Sequence, residues 1–284
     1  MSIVAGEPLG CLLEGASRCT IERMVGWRKA PFVILSGAAR ALDRAGRATM
    51  FLAAGLLRLD DLRGAIAKTW DNFGLGETLV LSGLMPWERA LYDRFLKPED
   101  RVLVVGCGSG RDLIALLRLG YRVEGLDVAS RAIALARQML ERQGLSAGLY
   151  TGSIESVTLA GTFDVFVFSW FCYGYIPQTA TRIEVLRKVK AHLKPGGRVV
   201  ICYNPAERPP RELPIGLARI AARLTRSDWR PEPGDVVGAV AGDRRAVHYE
   251  HQFWGSELEN EARAAGLAVV HHERGEVGTA VLMI

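Results

Sequence analysis

Val104 to Asp112 reads Val-Val-Gly-Cys-Gly-Ser-Gly-Arg-Asp, with three alternating glycines directly behind a β-branched run. Glycines in such a turn accept backbone angles that side chains resist, and they let N–H groups approach a ligand without a Cβ between them. A helix starting at that point offers its positive end to a carboxylate or phosphate. Asp127 stands 21 positions beyond Gly106. An acidic residue at about a 20-residue offset is where a carboxylate accepts both hydroxyls of a ribose. Loop and acid together describe a site for a ribose-bearing cofactor. The spacing G-x-G-x-G differs from the dinucleotide pattern G-x-G-x-x-G, which tilts the choice away from NAD.

Further residues could act on a second substrate. The stretch Trp170-Phe171-Cys172-Tyr173-Gly174-Tyr175-Ile176-Pro177 holds two phenols, and Tyr173 or Tyr175 could orient an acceptor or simply pack. In His248-Tyr249-Glu250-His251, His248 or His251 could serve as a general base, against the alternative of half-buried residues on an edge strand. Tyr173 and His248 are the two candidate catalytic residues. Cys107 has no His or Lys beside it in sequence to activate a thiolate, so it is not read as a nucleophile. His271 and His272 are read as structural. Carboxylates and histidines lack paired ligand spacing, so no metal is expected. Trp70, Phe73 and Trp87 could contribute to a lid, with core packing as the competing reading.

The elements that must position these residues follow from hydrophobic periodicity. Residues 1–85 read as a helical extension; Ile34, Ala38, Leu42, Ala45 and Thr49 keep one mostly apolar stripe, with Arg40, Asp43, Arg44 and Arg47 largely elsewhere. Residues 70–87 read as irregular, and Glu88–Phe95 as a short helix. From Arg101 onward strands and helices alternate. Strands are expected over 102–105, 122–126, 148–151, 163–169 and 198–203, with helices over 112–119, from Ser130 to about 142, and over 181–193. Residues 204–247 break this rhythm and read as a lid-like insertion with one amphipathic stretch, 215–224. Ser256 with Glu259 has the pattern of a capping box. Residues 267–272 and 277–283 flank a turn, so the sheet should close with an antiparallel strand. The expected organisation is an extension over 1–85 and a core over 86–284. The expected fold is a Rossmann-like, doubly wound α/β architecture with a mostly parallel seven-stranded sheet.

The 284 residues are 49% hydrophobic, enough for a sizeable core and against general disorder. Five scattered cysteines (Cys11, Cys19, Cys107, Cys172, Cys202) give neither a disulfide framework nor a zinc pattern. No signal-peptide pattern or membrane-spanning run is read, and a cytoplasmic location, membrane-peripheral at most, is expected. The net charge of +5 is uneven: residues 1–58 hold eight basic and four acidic residues. An anionic lipid surface or RNA could meet that excess, but a solvated helix face is the blander reading and the preferred one.

The segments V-L-V-V-G-C-G-S-G-R-D, V-E-G-L-D-V-A-S, F-D-V-F-V-F-S and L-K-P-G-G-R-V-V-I, in this order and spacing, resemble the successive motifs of the class I S-adenosylmethionine (SAM)-dependent methyltransferases. The resemblance spans about residues 97–203, and 248–284 more loosely. It implies that Gly106, Cys107, Gly108 and Gly110 line the methionine portion and ribose of SAM, that Asp127 binds the ribose hydroxyls and that Val128 packs on the adenine. It places Ser153 and Ile154 at the adenine edge and Ser169 beside the methionine. Many relatives carry Asp where Ser153 stands, so a hydroxyl or backbone N–H would replace that carboxylate contact. The D/N-P-P-Y/F tetrapeptide of nucleobase amino methyltransferases is missing after the fourth strand. The implied reaction is in-line transfer of the SAM methyl group to a small or amphipathic organic acceptor at O, N or C, leaving S-adenosylhomocysteine. Rival readings are a non-catalytic SAM-binding scaffold or regulator and an RNA methyltransferase using the basic N-terminus. The expected partner is a small, partly hydrophobic molecule rather than nucleic acid. Membrane-surface contact through residues 30–58 stays open, as does the oligomeric state.

Overall fold

The computed structural model describes residues 29–72, 76–210, 212–240 and 243–284, without the side chains of residues 47, 212–214, 239–240 and 243–246. Cys11, Cys19, Arg18, Arg23 and Arg28 lie outside the described residues, as does the lid role considered for Phe73. The chain divides into two compact units, Met1–Thr49 and Met50–Ile284. Helix α1 (Lys29–Ala54) carries the described part of the first.

In the second unit α2 (Leu59–Asp71), α3 (Glu77–Val80) and α4 (Pro86–Phe95) precede β1 (Arg101–Val105), α5 (Arg111–Arg118), β2 (Arg122–Asp127), α6 (Ser130–Arg142) and β3 (Leu149–Thr151). β4 (Phe163–Phe168), a 3₁₀ turn (Cys172–Tyr175), α7 (Thr179–Ala191) and β5 (Leu193–Tyr203) follow. The chain continues through α8 (Glu212–Leu224), β6 (Asp235–Val240), β7 (Asp243–His251), α9 (Glu257–Ala264), β8 (Ala268–Arg274) and β9 (Gly278–Met283). The main sheet has the order β3-β2-β1-β4-β5-β9-β8. Its first five strands pair in parallel, and β9 runs antiparallel between β5 and β8. The fold is the Rossmann-like seven-stranded architecture expected.

Alternation along the buried strands feeds two cores. Leu103, Phe166 and Ile201 point to one side with Val185 and Leu186 of α7 and Leu258 of α9. Val102, Val104, Val165 and Val200 point to the other with Leu91 of α4, Leu113 of α5 and Ile133 of α6. Each such side chain contributes about 1.5–3 kcal/mol by burial. Register then locates the site. Val105 lies opposite Leu126 and Phe168, so the loops after β1, β2 and β4 emerge together at one sheet end. Strand order reverses between β1 and β4, and a crevice at such a switch point is where α/β sheets bind ligands.

Three local expectations are corrected. His248–His251 belong to β7, which pairs with β6 in a separate two-stranded sheet inside the insertion rather than on an edge of the main sheet. Ser256 makes no capping bond to α9, because Glu259 is drawn to His272 and Arg274 instead. Ser130 is the first helical residue of α6, not its cap; Asp71 at the end of α2 accepts the Arg131 N–H at 2.9 Å.

Candidate active site

The glycine loop takes the geometry its composition allows. Gly106, Gly108 and Gly110 have φ of +75°, +51° and +93°, where a side chain costs about 1 kcal/mol or more. At Gly106 a Cβ would stand 2.7 Å from the Cys172 Cβ, so the loop abuts the 3₁₀ turn after β4. At Gly108 a Cβ would meet nothing within 4 Å and would enter the pocket. Asp127 braces this loop: it accepts the Gly108 N–H at 2.7 Å and the Ala129 N–H at 2.8 Å, one on each oxygen. A carboxylate oxygen can accept two hydrogen bonds, so both retain capacity for a ligand diol. Burial raises the Asp127 pKa, and the N–H donors oppose that shift.

The pocket is lined by Gly106, Cys107, Gly108, Asp127, Val128, Ser153, Ile154 and Ser169 among the residues expected from sequence. Gly110 is not in its wall; its Cα faces Ala136 of α6, where a Cβ would lie 3.2 Å from that methyl group. The Ser153 hydroxyl accepts the Glu155 N–H at 3.2 Å. Burial pushes the Cys107 thiol pKa well up, as expected of a packing residue rather than a nucleophile.

A buried charge cluster that the sequence reading did not single out borders the pocket at Arg111, Asp112 and Ser169. Arg111 is paired with Glu88, with one contact at 2.7 Å, and its guanidinium lies 2.6 Å from Asp112. Ser169 donates its hydroxyl to Asp112 at 2.5 Å. The Asp112 pKa is raised to about 6, first by burial and also by Glu88, against the pull of Arg111 and the Ser169 hydroxyl. Two carboxylates share one guanidinium here, a surplus of negative charge beside the pocket. The available signal was the acidic residue directly after Gly110-Arg111, visible only as a first-turn helix residue.

Part of the pocket wall is aromatic, with Trp70, Trp170 and Tyr175. Trp170 and Phe171 carry left-handed φ of 44° and 65°, backbone strain of the kind found around binding sites, and Arg111 lies 5.4 Å from the Trp170 ring centre. Tyr175 lines the pocket and meets Trp70 edge-on at 5.2 Å. Tyr173 is corrected. It is fully buried, donates its hydroxyl to Glu261 at 2.7 Å and stacks on Phe253, away from the pocket. His248 stands behind Tyr175, with ring centres 6.2 Å apart, and is not in the pocket wall. His251 is buried between Asp235 and Glu257, 2.9 Å from each, and presents no face to the pocket. Trp87 packs beside the core instead of the pocket.

Helix α2 closes one wall with Arg63, Ile66 and Trp70, spaced to share a face. It is fastened by Arg63 to Glu155 at 2.5 Å, by Leu59 N–H to Asp228 at 3.0 Å and by Asp71 to α6. Leu62 and Ile66 also pack with Trp229 and Tyr249 of the insertion. Glu232, Asp235 and His251 have the types and proximity of a metal site. Both His251 nitrogens already face carboxylates, and Arg182 reaches Glu232, Glu257 and Glu261. The cluster is therefore internally charge-paired, with Arg182 on Glu232 and His251 on Asp235.

Residues 102–197 match the model of a methyltransferase domain family. The chain is 33% identical over 131 residues to the cypemycin N-terminal methyltransferase of a Streptomyces species, covering 44% of this chain and 50% of that one. It is 27% identical over 232 residues to a dTDP-3-amino-3,6-dideoxy-alpha-D-glucopyranose N,N-dimethyltransferase of Streptomyces fradiae, covering 77% and 89%. A SAM-dependent methyltransferase structure from Methanosarcina mazei superposes with a TM-score of 0.55 at 21% identity, over 70% of this chain and 97% of that one. The match spans about half the length of the first of these relatives. Over residues 102–197 the chain is similar to a methyltransferase domain, and its fold is that of a SAM-dependent methyltransferase.

Proposed function

We propose that this chain transfers the methyl group of SAM to a nitrogen of a small or amphipathic amine. The observation that carries the SAM assignment is the polarity of the pocket. One part of its wall offers Asp127 beside an open glycine loop, and another a surplus of negative charge at Asp112. A ribose diol suits the first, an ammonium and sulfonium suit the second, and the α5 N-terminus favours a carboxylate. The pyrophosphate of NAD would be repelled at Asp112. Bound SAM supplies an electrophilic methyl group on sulfur. The chain's part is to align the acceptor in line with it and exclude water. Trp70, Trp170 and Tyr175 would form the aromatic wall for that acceptor, and α2 would cover it.

The amine reading rests on what the described lining residues lack. Asp127 braces the loop, Asp112 holds Ser169 and Arg111, and Glu155 is paired with Arg63. With each of these carboxylates so engaged, an acceptor bringing its own lone pair is favoured over a hydroxyl needing a base. The named reactions of the two Streptomyces relatives are also N-methylations. The test is S-adenosylhomocysteine release, followed by mass spectrometry on a panel of primary and secondary amines, phenols, alcohols and thiols. Turnover on amines is expected. Turnover confined to phenols or alcohols would overturn the amine reading, and SAM binding without turnover would favour a scaffold.

A further inference from the structure

Helix α1 is 26 residues long, about 39 Å at 1.5 Å per residue. Advancing 100° per residue, Lys29, Ser36, Arg40, Asp43 and Arg44 fall within about a third of its circumference. Ala30, Ile34, Leu35, Ala38, Ala41, Leu42 and Ala45 occupy the opposite arc, about two-fifths of the circumference. Phe32 sits at the boundary, and Val33 and Phe51 are the large apolar residues within the polar arc. Ile34, Leu35 and Leu42 are 69%, 68% and 73% exposed. Lys29, Arg40 and Arg44 are exposed too, and Asp43 is the helix's sole acidic residue.

We propose that α1 lies in the plane of an anionic lipid bilayer surface, with its apolar arc among the acyl chains and its cations at the headgroups. This goes beyond the methyl-transfer reading and does not rest on it. Two features select the occupant. The polar arc is basic, which complements anionic headgroups, and it lies opposite the apolar arc, so its cations face the headgroup and water side. The apolar arc is also broad and mostly small residues, suited to a fluid hydrocarbon surface, whereas a helix–helix seam calls for a narrower stripe of large residues. Among the described residues no helix is long and apolar enough to cross a membrane, so the geometry is in-plane.

The test is co-sedimentation of the full chain with vesicles of roughly three parts phosphatidylcholine to one part phosphatidylglycerol, and with phosphatidylcholine alone. Binding to the anionic vesicles is expected to be at least about tenfold tighter, and to weaken as salt is raised. The double variant Leu35→Glu/Leu42→Glu should lose about tenfold or more by removing the apolar contact. Arg40→Glu/Arg44→Glu should lose selectivity for the anionic vesicles. Circular dichroism and calorimetric SAM binding on each variant establish that the second unit is intact. Equal partition of wild type and both variants, or no partition of wild type, would overturn the proposal. So would a dimer in sedimentation velocity that Leu35→Glu/Leu42→Glu dissociates while vesicle binding is weak, since the occupant would then be a second copy.

Discussion

Asp127 and Asp112 both line the pocket, and burial raises the pKa of both carboxylates. They differ in what opposes burial: backbone N–H donors for Asp127, a guanidinium and a hydroxyl for Asp112. Asp127→Ala removes the carboxylate proposed to accept two ribose hydroxyls and unties the glycine loop. At roughly 1.5–3 kcal/mol per charge-assisted bond, SAM affinity should fall at least about a hundredfold by calorimetry. Asp112 favours a cationic ligand only when ionised. With its pKa at about 6 in the free protein, SAM affinity should be level above pH 6 and fall about tenfold per pH unit below it. Asp112→Asn should weaken binding at pH 7.5 and flatten that profile between pH 5 and 7; an unchanged slope would assign the titration elsewhere. The two tyrosines divide in the same residue-by-residue way. Tyr173→Phe leaves Glu261 short of a donor and should lower stability by about 1–3 kcal/mol with acceptor KM unchanged, whereas Tyr175→Ala should raise acceptor KM and spare the melting temperature.

At the scale of elements, the sheet was legible from sequence because strands such as 102–105 and 163–168 are continuous apolar runs that only a two-faced parallel sheet buries. The hairpin of β6 and β7 was not. Its alternation is present in His248-Tyr249-Glu250-His251, but its pairing partner lies across a stretch whose residues gave no strand pattern of their own, and pairing is a tertiary choice. The failed capping box at Ser256 has the same origin: Glu259 met His272 and Arg274, which local sequence cannot foresee. That hairpin is held to the core by His251 between Asp235 and Glu257. Burial would lower the His251 pKa, but the two carboxylate bonds outweigh it and the net shift is upward. The stabilisation is therefore complete below the unfolded pKa of about 6.5 and lost as pH rises through the higher folded value. The melting temperature should decline over that window. His251→Gln should remove the decline and cost about 3–5 kcal/mol, as expected when a buried charged partner is deleted.

For the whole molecule, the division of labour is spatial. Every described residue lining the pocket lies in Met50–Ile284, so a chain lacking residues 1–49 should bind SAM within about twofold of the full chain. A hundredfold loss would show that the first unit shapes the pocket. The glycine loop and its acid were readable as a pair because they occur as fixed residue types at fixed spacing, and the structure brings Gly106, Gly108 and Asp127 to one pocket wall. The acceptor half was not, because Tyr173 and Tyr175 are chemically alike and only the course of the 3₁₀ turn sends one into the core and the other to the pocket wall. Glu88 and Asp112 became a site only when α4 packed against α5. The measurement that bears most directly on the account is calorimetric titration of the full chain and of Gly108→Val with SAM, S-adenosylhomocysteine and NADH. The account predicts one-to-one binding of SAM and S-adenosylhomocysteine to the wild type, no heat with NADH, and loss of both adenosyl ligands in Gly108→Val, whose folded spectrum is retained while its new side chain fills the open space above the loop. NADH binding in place of SAM, or SAM bound normally by Gly108→Val, would contradict it.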